Sequence, residues 1–149
     1  MPSLHISIPA QTLTLRSPGE PDRHFPISSS AFGLGTEPGS FKTPTGRFEV
    51  SKKIGAGAPL GSVFKSRVPT GEIGAPADPG DLIQTRILWL HGLDPDNQNT
   101  LDRYIYIHGT NHEDALGAPA SHGCIRMANA AVAELFDLVT EGTAVEIHP

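Results

Sequence analysis

The sequence predicts a mainly β, α+β domain with one main helix, which follows the single cysteine. Three observations lead there. Short stretches alternate strictly between apolar and polar residues, Gly and Pro supply about a fifth of the chain, and one apolar stripe at helical spacing lies near the C-terminus.

The elements follow in order. Leu4, Ile6 and Ile8 alternate with His5 and Ser7, and Leu13 and Leu15 with Thr12 and Thr14, the period of a half-buried strand. A turn cluster over 17–22 separates these from Phe25-Pro26-Ile27. The turn Thr43-Pro44-Thr45-Gly46 precedes a strand at Arg47-Phe48-Glu49-Val50. Residues 55–81 are rich in Gly and Pro, and a stretch of this length reads as a flap or loop over a site. Strands are expected again at Ile87–Leu90 and Tyr104–Ile107. Asn129 is a good N-cap, and Val132, Leu135, Phe136 and Val139 form one helical face, with Gly142 at the C-cap position. Val145 and Ile147 begin a last strand.

Composition sets the limits. The 149 residues form one domain, 1–149, with 38% hydrophobic residues and a net charge of -5, values of a folded chain rather than a disordered one. The pI near 5.7 argues against nucleic acid or an anionic membrane as a partner. No apolar run reaches the roughly 18 residues that span a bilayer. The N-terminal residues lack a basic segment followed by an apolar one, so a cytoplasmic location is expected; a precursor carrying an export signal would be periplasmic.

Chemistry concentrates between residues 104 and 127. Cys124 is the only cysteine, so it packs as a small apolar group or reacts. A strand ends in Ile107-His108-Gly109-Thr110, and after a polar linker comes Ser121-His122-Gly123-Cys124-Ile125-Arg126-Met127. Alternation places His108 on one face with Tyr104 and Tyr106. A thiol near backbone N–H groups and an imidazole is expected to be stabilised as thiolate, and the N–H groups of Gly123 and Cys124 are placed to hold an oxyanion. Arg126 either braces the helix start or pairs with a substrate carboxylate. His122 either hydrogen-bonds the loop or takes part in catalysis. A zinc site from His108, His112, His122 and Cys124 is the weaker alternative, because the H-x3-H spacing shares a face only in a helix. No cofactor or metal is expected.

His-Gly-Thr, a linker and Ser-His-Gly-Cys-x-Arg, with Cys124 sixteen positions after His108, resemble the hallmark of the L,D-transpeptidase catalytic domain, or YkuD, family. Thr43-Pro44-Thr45-Gly46-Arg47-Phe48 resembles a further element of that family, and the similarity covers most of residues 30–149. The resemblance implies a β-sandwich with one main helix after the cysteine. It implies Cys124 as nucleophile, His108 as base oriented by the Gly109 carbonyl, and His122 and Gly123 shaping the oxyanion hole. Arg126, Ser121 and Tyr106 fall on the substrate side. The implied partner is a peptidoglycan stem peptide or muropeptide, from which the thiolate expels D-alanine. With no export signal in view, the expected activity is an L,D-carboxypeptidase, with cross-linking L,D-transpeptidation as the alternative.

Overall fold

Alternation along the chain becomes a closed ring of strands. The computed structural model describes all residues, 1–149. Ten strands form: β1 Ser3–Ser7, β2 Thr12–Arg16, β3 Arg23–Ser28, β4 Gly46–Ile54, β5 Ser62–Lys65, β6 Val68–Ile73, β7 Ile83–Gly92, β8 Tyr106–Gly109, β9 Ile125–Met127 and β10 Ala144–His148. One helix, α1 Asn129–Leu138, connects β9 to β10. Eight strands run in the order β4-β10-β1-β2-β3-β9-β8-β7, and β7 returns to pair with β4. The expected sandwich is therefore corrected to a closed barrel. Because β4 is bonded to β10 on one side and to β7 on the other, the ring has no free edge there.

The alternating residues explain the closure. Leu4, Ile6, Phe48, Leu88, Ile107 and Ile125 point inward and join a single core of twenty buried residues. Helix α1 packs on β7 and β8 and adds Val132, Leu135 and Phe136 to that core. The opposite face of β7 carries Ile87 and Trp89. There the hairpin β5–β6, paired to the start of β7, builds a second small cluster of Phe64, Ile87 and Tyr106, with Cys124 against it.

Several boundaries differ from the sequence reading. The 55–81 stretch is not a plain loop, since it holds the β5–β6 hairpin, whose β6 is exposed along its whole length. Strand β8 begins at Tyr106, because Tyr104 takes a left-handed φ of 55° and leaves the alternation. Asn129 is the first helical residue rather than the cap, which is Ala128. Its amide instead accepts from Thr85 Oγ1 at 2.7 Å and donates to the Thr110 carbonyl at 3.1 Å. Glu113 supplies the missing acceptor at the helix start, taking the Asn129 backbone N–H at 3.2 Å. Gly142 lies past the end of α1 and shapes the turn into β10, donating its N–H to the Val50 carbonyl at 2.7 Å.

Asn129 thus ties a bulge in β7, the end of β8 and the start of α1 together. Gly109 lies under this joint, where a Cβ would come within 2.3 Å of Asn129 Oδ1 and 2.6 Å of the Gln84 carbonyl. Gly109→Ala is expected to cost about 1–3 kcal/mol through overpacking, measured as a lowered denaturation midpoint. Wild-type stability would show that the joint can give way.

Candidate active site

The parallel pairing of β8 with β9 assembles the reactive groups. Its register sets Ile107 beside Ile125 and His108 beside Arg126, and the alternation puts Tyr106, His108, Cys124 and Arg126 on the face away from the core. Cys124 stands one residue before β9, so a strand separates it from α1. The thiol accepts the Tyr106 backbone N–H at 3.3 Å and donates to the Tyr104 carbonyl at 3.3 Å. The left-handed turn at Tyr104 is what brings that carbonyl round.

The loop before the cysteine is closed by two hydroxyls. Ser121 is buried; its Oγ donates to the Cys124 carbonyl at 2.7 Å and accepts the Gly123 N–H at 3.2 Å. Thr43 donates to the Gly123 carbonyl at 2.9 Å, which gives the Thr-Pro-Thr-Gly segment its place in the site. Gly123 has a φ of 124°, a conformation that favours glycine. Two readings from sequence change here. Ser121 spends its hydroxyl inside the loop rather than on a ligand, and the Gly123 N–H is already engaged, which leaves Cys124 N–H as the oxyanion donor nominated earlier.

His108 is 2% exposed, and its Nδ1 lies 2.5 Å from the Gly109 carbonyl. A carbonyl only accepts, so Nδ1 carries the hydrogen and Nε2 keeps the lone pair of a base. Burial pushes the imidazole below its ordinary value, and the Gly109 carbonyl and the Asp81 charge offset this only in part. Burial likewise pushes the Cys124 thiol up to about 11, against the Tyr106 N–H and the Arg126 and Arg103 charges. Both shifts favour the uncharged forms, thiol and imidazole, over the preformed thiolate expected from sequence.

Asp81, which the sequence did not single out, stands at the centre of the remaining polar groups. Its Oδ2 accepts Arg126 Nη2 at 2.9 Å and His122 Nδ1 at 3.3 Å. Arg126 is 3% exposed, and its charge meets the partly exposed carboxylate of Asp81. Burial alone would raise the Asp81 carboxyl, yet the Arg126 hydrogen bond and the Arg126 charge hold it below the usual range. The signal for Asp81 was its place at the last position of the Gly/Pro-rich stretch, where an acid precedes a strand.

A cleft of about 230 Å³ opens at the thiol, between Phe41, Arg103, Tyr104 and His122. Phe32, Phe41 and His122 stack about it with ring centroids 5.8–5.9 Å apart. Arg103 donates to the Gly35 and Lys42 carbonyls rather than to a carboxylate. Opposite these, Arg67 lies 4.9 Å over Trp89 and 5.1 Å over Tyr104, and donates to the Tyr106 hydroxyl at 3.2 Å. Tyr106 is therefore wall, bound to the hairpin tip. A larger cavity of about 490 Å³ lies within the hairpin, around Ile54, Phe64 and Pro69, and does not reach Cys124. The zinc alternative gains no cluster: His112 turns to the Gly80 carbonyl at 2.7 Å and His122 to Asp81. One trio with ligand atoms within 4.8 Å of one another, His5, Glu146 and His148, sits on β1 and β10, away from the thiol. No helix is long and apolar enough to cross a membrane.

The chain is similar to known proteins in sequence and in fold. The model of the L,D-transpeptidase catalytic domain family matches residues 2–147. YkuD of Bacillus subtilis, provisionally named an L,D-transpeptidase, is 31% identical over 144 residues, covering 96% of this chain and 63% of that protein. An L,D-transpeptidase solved in complex with imipenem superposes with a TM-score of 0.61 at 26% identity, covering 99% of this chain and 58% of the other. The L,D-transpeptidase of Xylanimonas cellulosilytica gives a TM-score of 0.63 at 22% identity, with 99% and 60% covered. The chain thus spans about three fifths of the relatives it matches.

The raised Cys124 thiol makes a pH prediction. Alkylation by iodoacetamide in the folded protein should keep rising past pH 9 and level only near the value of about 11. The unfolded chain gives up its thiol proton first, near the ordinary 9.0, so stability should fall between pH 9 and 11 as the folded state is left holding the proton. A plateau below pH 8 would reveal a thiolate already formed.

Proposed function

The chain belongs to the L,D-transpeptidase catalytic domain family, and from that premise we propose that it is a cysteine acyl-transfer enzyme that removes the terminal D-alanine of peptidoglycan tetrapeptides. The observation that carries the reading is the Cys124 thiol on the same face as His108, whose Nδ1 is committed to the Gly109 carbonyl. As the bond forms between Sγ and the carbonyl carbon of diaminopimelate, Nε2 of His108 takes the Sγ proton. The oxyanion accepts the Cys124 N–H. When the C–N bond breaks, His108 passes its proton to the departing D-alanine amine, and a thioester remains on Cys124.

Arg103 is the cation open to the cleft at the thiol and the partner we assign to the carboxylate of the leaving D-alanine. Water then resolves the thioester: His108 takes its proton, hydroxide attacks the carbonyl carbon, and the C–S bond breaks as Sγ regains a proton. Water is the expected acceptor because it is present at roughly 55 M, so a thioester with no second amine held in near-attack geometry hydrolyses. A second cleft of about 400 Å³, lined by Phe64, Lys65, Asp81 and Ile83, shares Asp81 with the site and favours the other reading, in which a second stem peptide supplies an amine and a cross-link results.

Product analysis with a disaccharide tetrapeptide tests both. Release of D-alanine with tripeptide and little dimer is the expected outcome, and predominant dimer would replace hydrolysis by cross-linking. Cys124→Ala and His108→Ala should each lower turnover by several orders of magnitude while leaving the fold intact. Because a relative is solved in complex with imipenem, intact-mass measurement with imipenem should show one adduct, absent in Cys124→Ser. An adduct kept by that variant would place the nucleophile elsewhere.

A further inference from the structure

The segment that ends in Asp81 is held with unusual care for a connection. Asn111 Nδ2 donates to the Asp78 and Gly80 carbonyls at 3.1 and 3.2 Å, and Asn111 Oδ1 accepts the Leu82 N–H at 3.1 Å. His112 adds a bond to the Gly80 carbonyl at 2.7 Å. Residues 78–82 are thus fastened on both sides of Asp81 to the chain that leaves β8 just after His108 and Gly109. Fastening of this kind fixes one side chain, and the Asp81 carboxylate is what it presents to Arg126, His122 and His108.

We propose that Asp81 is a positioning residue for the Cys124–His108 pair: its carboxylate holds Arg126 and His122 against the end of the cysteine loop and balances the positive charge that His108 acquires when it takes the thiol proton. The proposal rests on the reading of Cys124 and His108 as nucleophile and base, but not on the identity of the substrate. Arg126 is buried beside the imidazole, and its guanidinium alone would oppose an imidazolium there. With Asp81 in place the two fixed charges cancel, so His108 can accept a proton inside a dry site. The charged groups that act on the pair are Asp81 and Arg126 on both members and Arg103 on the thiol. On this arrangement Arg126 serves as the counter-charge of Asp81, and the carboxylate of the substrate falls to Arg103.

Charge balance has a signature that mere bracing lacks. Asp81→Asn keeps the shape and leaves Arg126 uncompensated. The thiol then ionises more readily, because a carboxylate that opposed it is gone, while the imidazolium becomes harder to form. Iodoacetamide should alkylate Cys124 several-fold to tenfold faster than in wild type at pH 8, a tenfold change being one pKa unit. Acylation by imipenem and D-alanine release should each fall at least tenfold. Arg126→Gln should move alkylation the opposite way, several-fold slower, and Asp81→Asn combined with Arg126→Gln should return it towards wild type. If Asp81→Asn does not fold, as judged by circular dichroism, the sign of the Arg126→Gln shift decides. Alkylation unchanged or slowed in folded Asp81→Asn, or unchanged or faster in Arg126→Gln, overturns the proposal. Wild-type protein that alkylates as described but releases no D-alanine would instead overturn the peptidoglycan reading and leave the role of Asp81 standing.

Discussion

Everything at this site depends on the parallel contact between β8 and β9. Only one other strand pair in the barrel is parallel, that of β1 with β10. A parallel pair needs a long crossover, and here the crossover is the polar segment between Gly109 and Ile125, which carries the Asn111–His112 fastening and the Ser121–Cys124 loop. One pairing therefore brings together two sequence motifs separated by sixteen positions. It also fixes their register, and a slip of β9 by one residue would turn Arg126 into the core and Ile125 out of it.

The reactive groups stand on the outer face of a barrel, where a sheet would ordinarily meet water. The β5–β6 hairpin and the fastened 78–82 segment cover that face, and burial follows: His108 and Arg126 are nearly sealed. Burial sets the electrostatics. It raises the thiol and lowers the imidazole, and both shifts favour the uncharged forms. The uncharged forms spare the molecule the cost of an isolated ion pair in a dry place. Arg126 and Asp81 form the one fixed ion pair of the site, and each is the reason the other can be there.

The strands whose alternation was legible, from Leu4 to Phe48 and at Leu88 and Leu90, are those that face the barrel core on one side and solvent or cover on the other. Cys124 and His108 were legible because their motif is local in sequence. What escaped was set by contacts across the chain. β9 is only Ile125–Met127, too short for a period, and exists because β8 and β3 flank it. β5 and β6 hide among Gly and Pro because β6 buries nothing and shows no alternation. Asn129 has the chemistry of a cap, but Thr85 and Thr110 compete for its amide and win. Asp81 is one of many acidic residues in the sequence, and only the folding of 78–82 onto Asn111 separates it from the rest.

Two of the six non-glycine residues with a left-handed φ lie close to the joints of the site. Thr85 is β-branched, fully buried and held at a φ of 73°, and Tyr104 stands at 55°. Conformations of this kind cost of order 1–3 kcal/mol each and persist only where the surroundings over-determine them. Thr85 is pinned through its hydroxyl between the Gly61 N–H and Asn129, at the bulge that lets β7 turn from pairing with the hairpin to pairing with β4. Tyr104 is pinned by the stacking of its ring with Trp89 and Arg67, and its carbonyl receives the Cys124 S–H. Gln11 in the β1–β2 turn, Phe41 beside the cleft, and Ser66 and Arg67 at the hairpin tip share the left-handed φ. The continuous core of the ring supplies the free energy, and the outer face spends part of it to hold a thiol, a base and their cover in a geometry that local preference alone would not adopt.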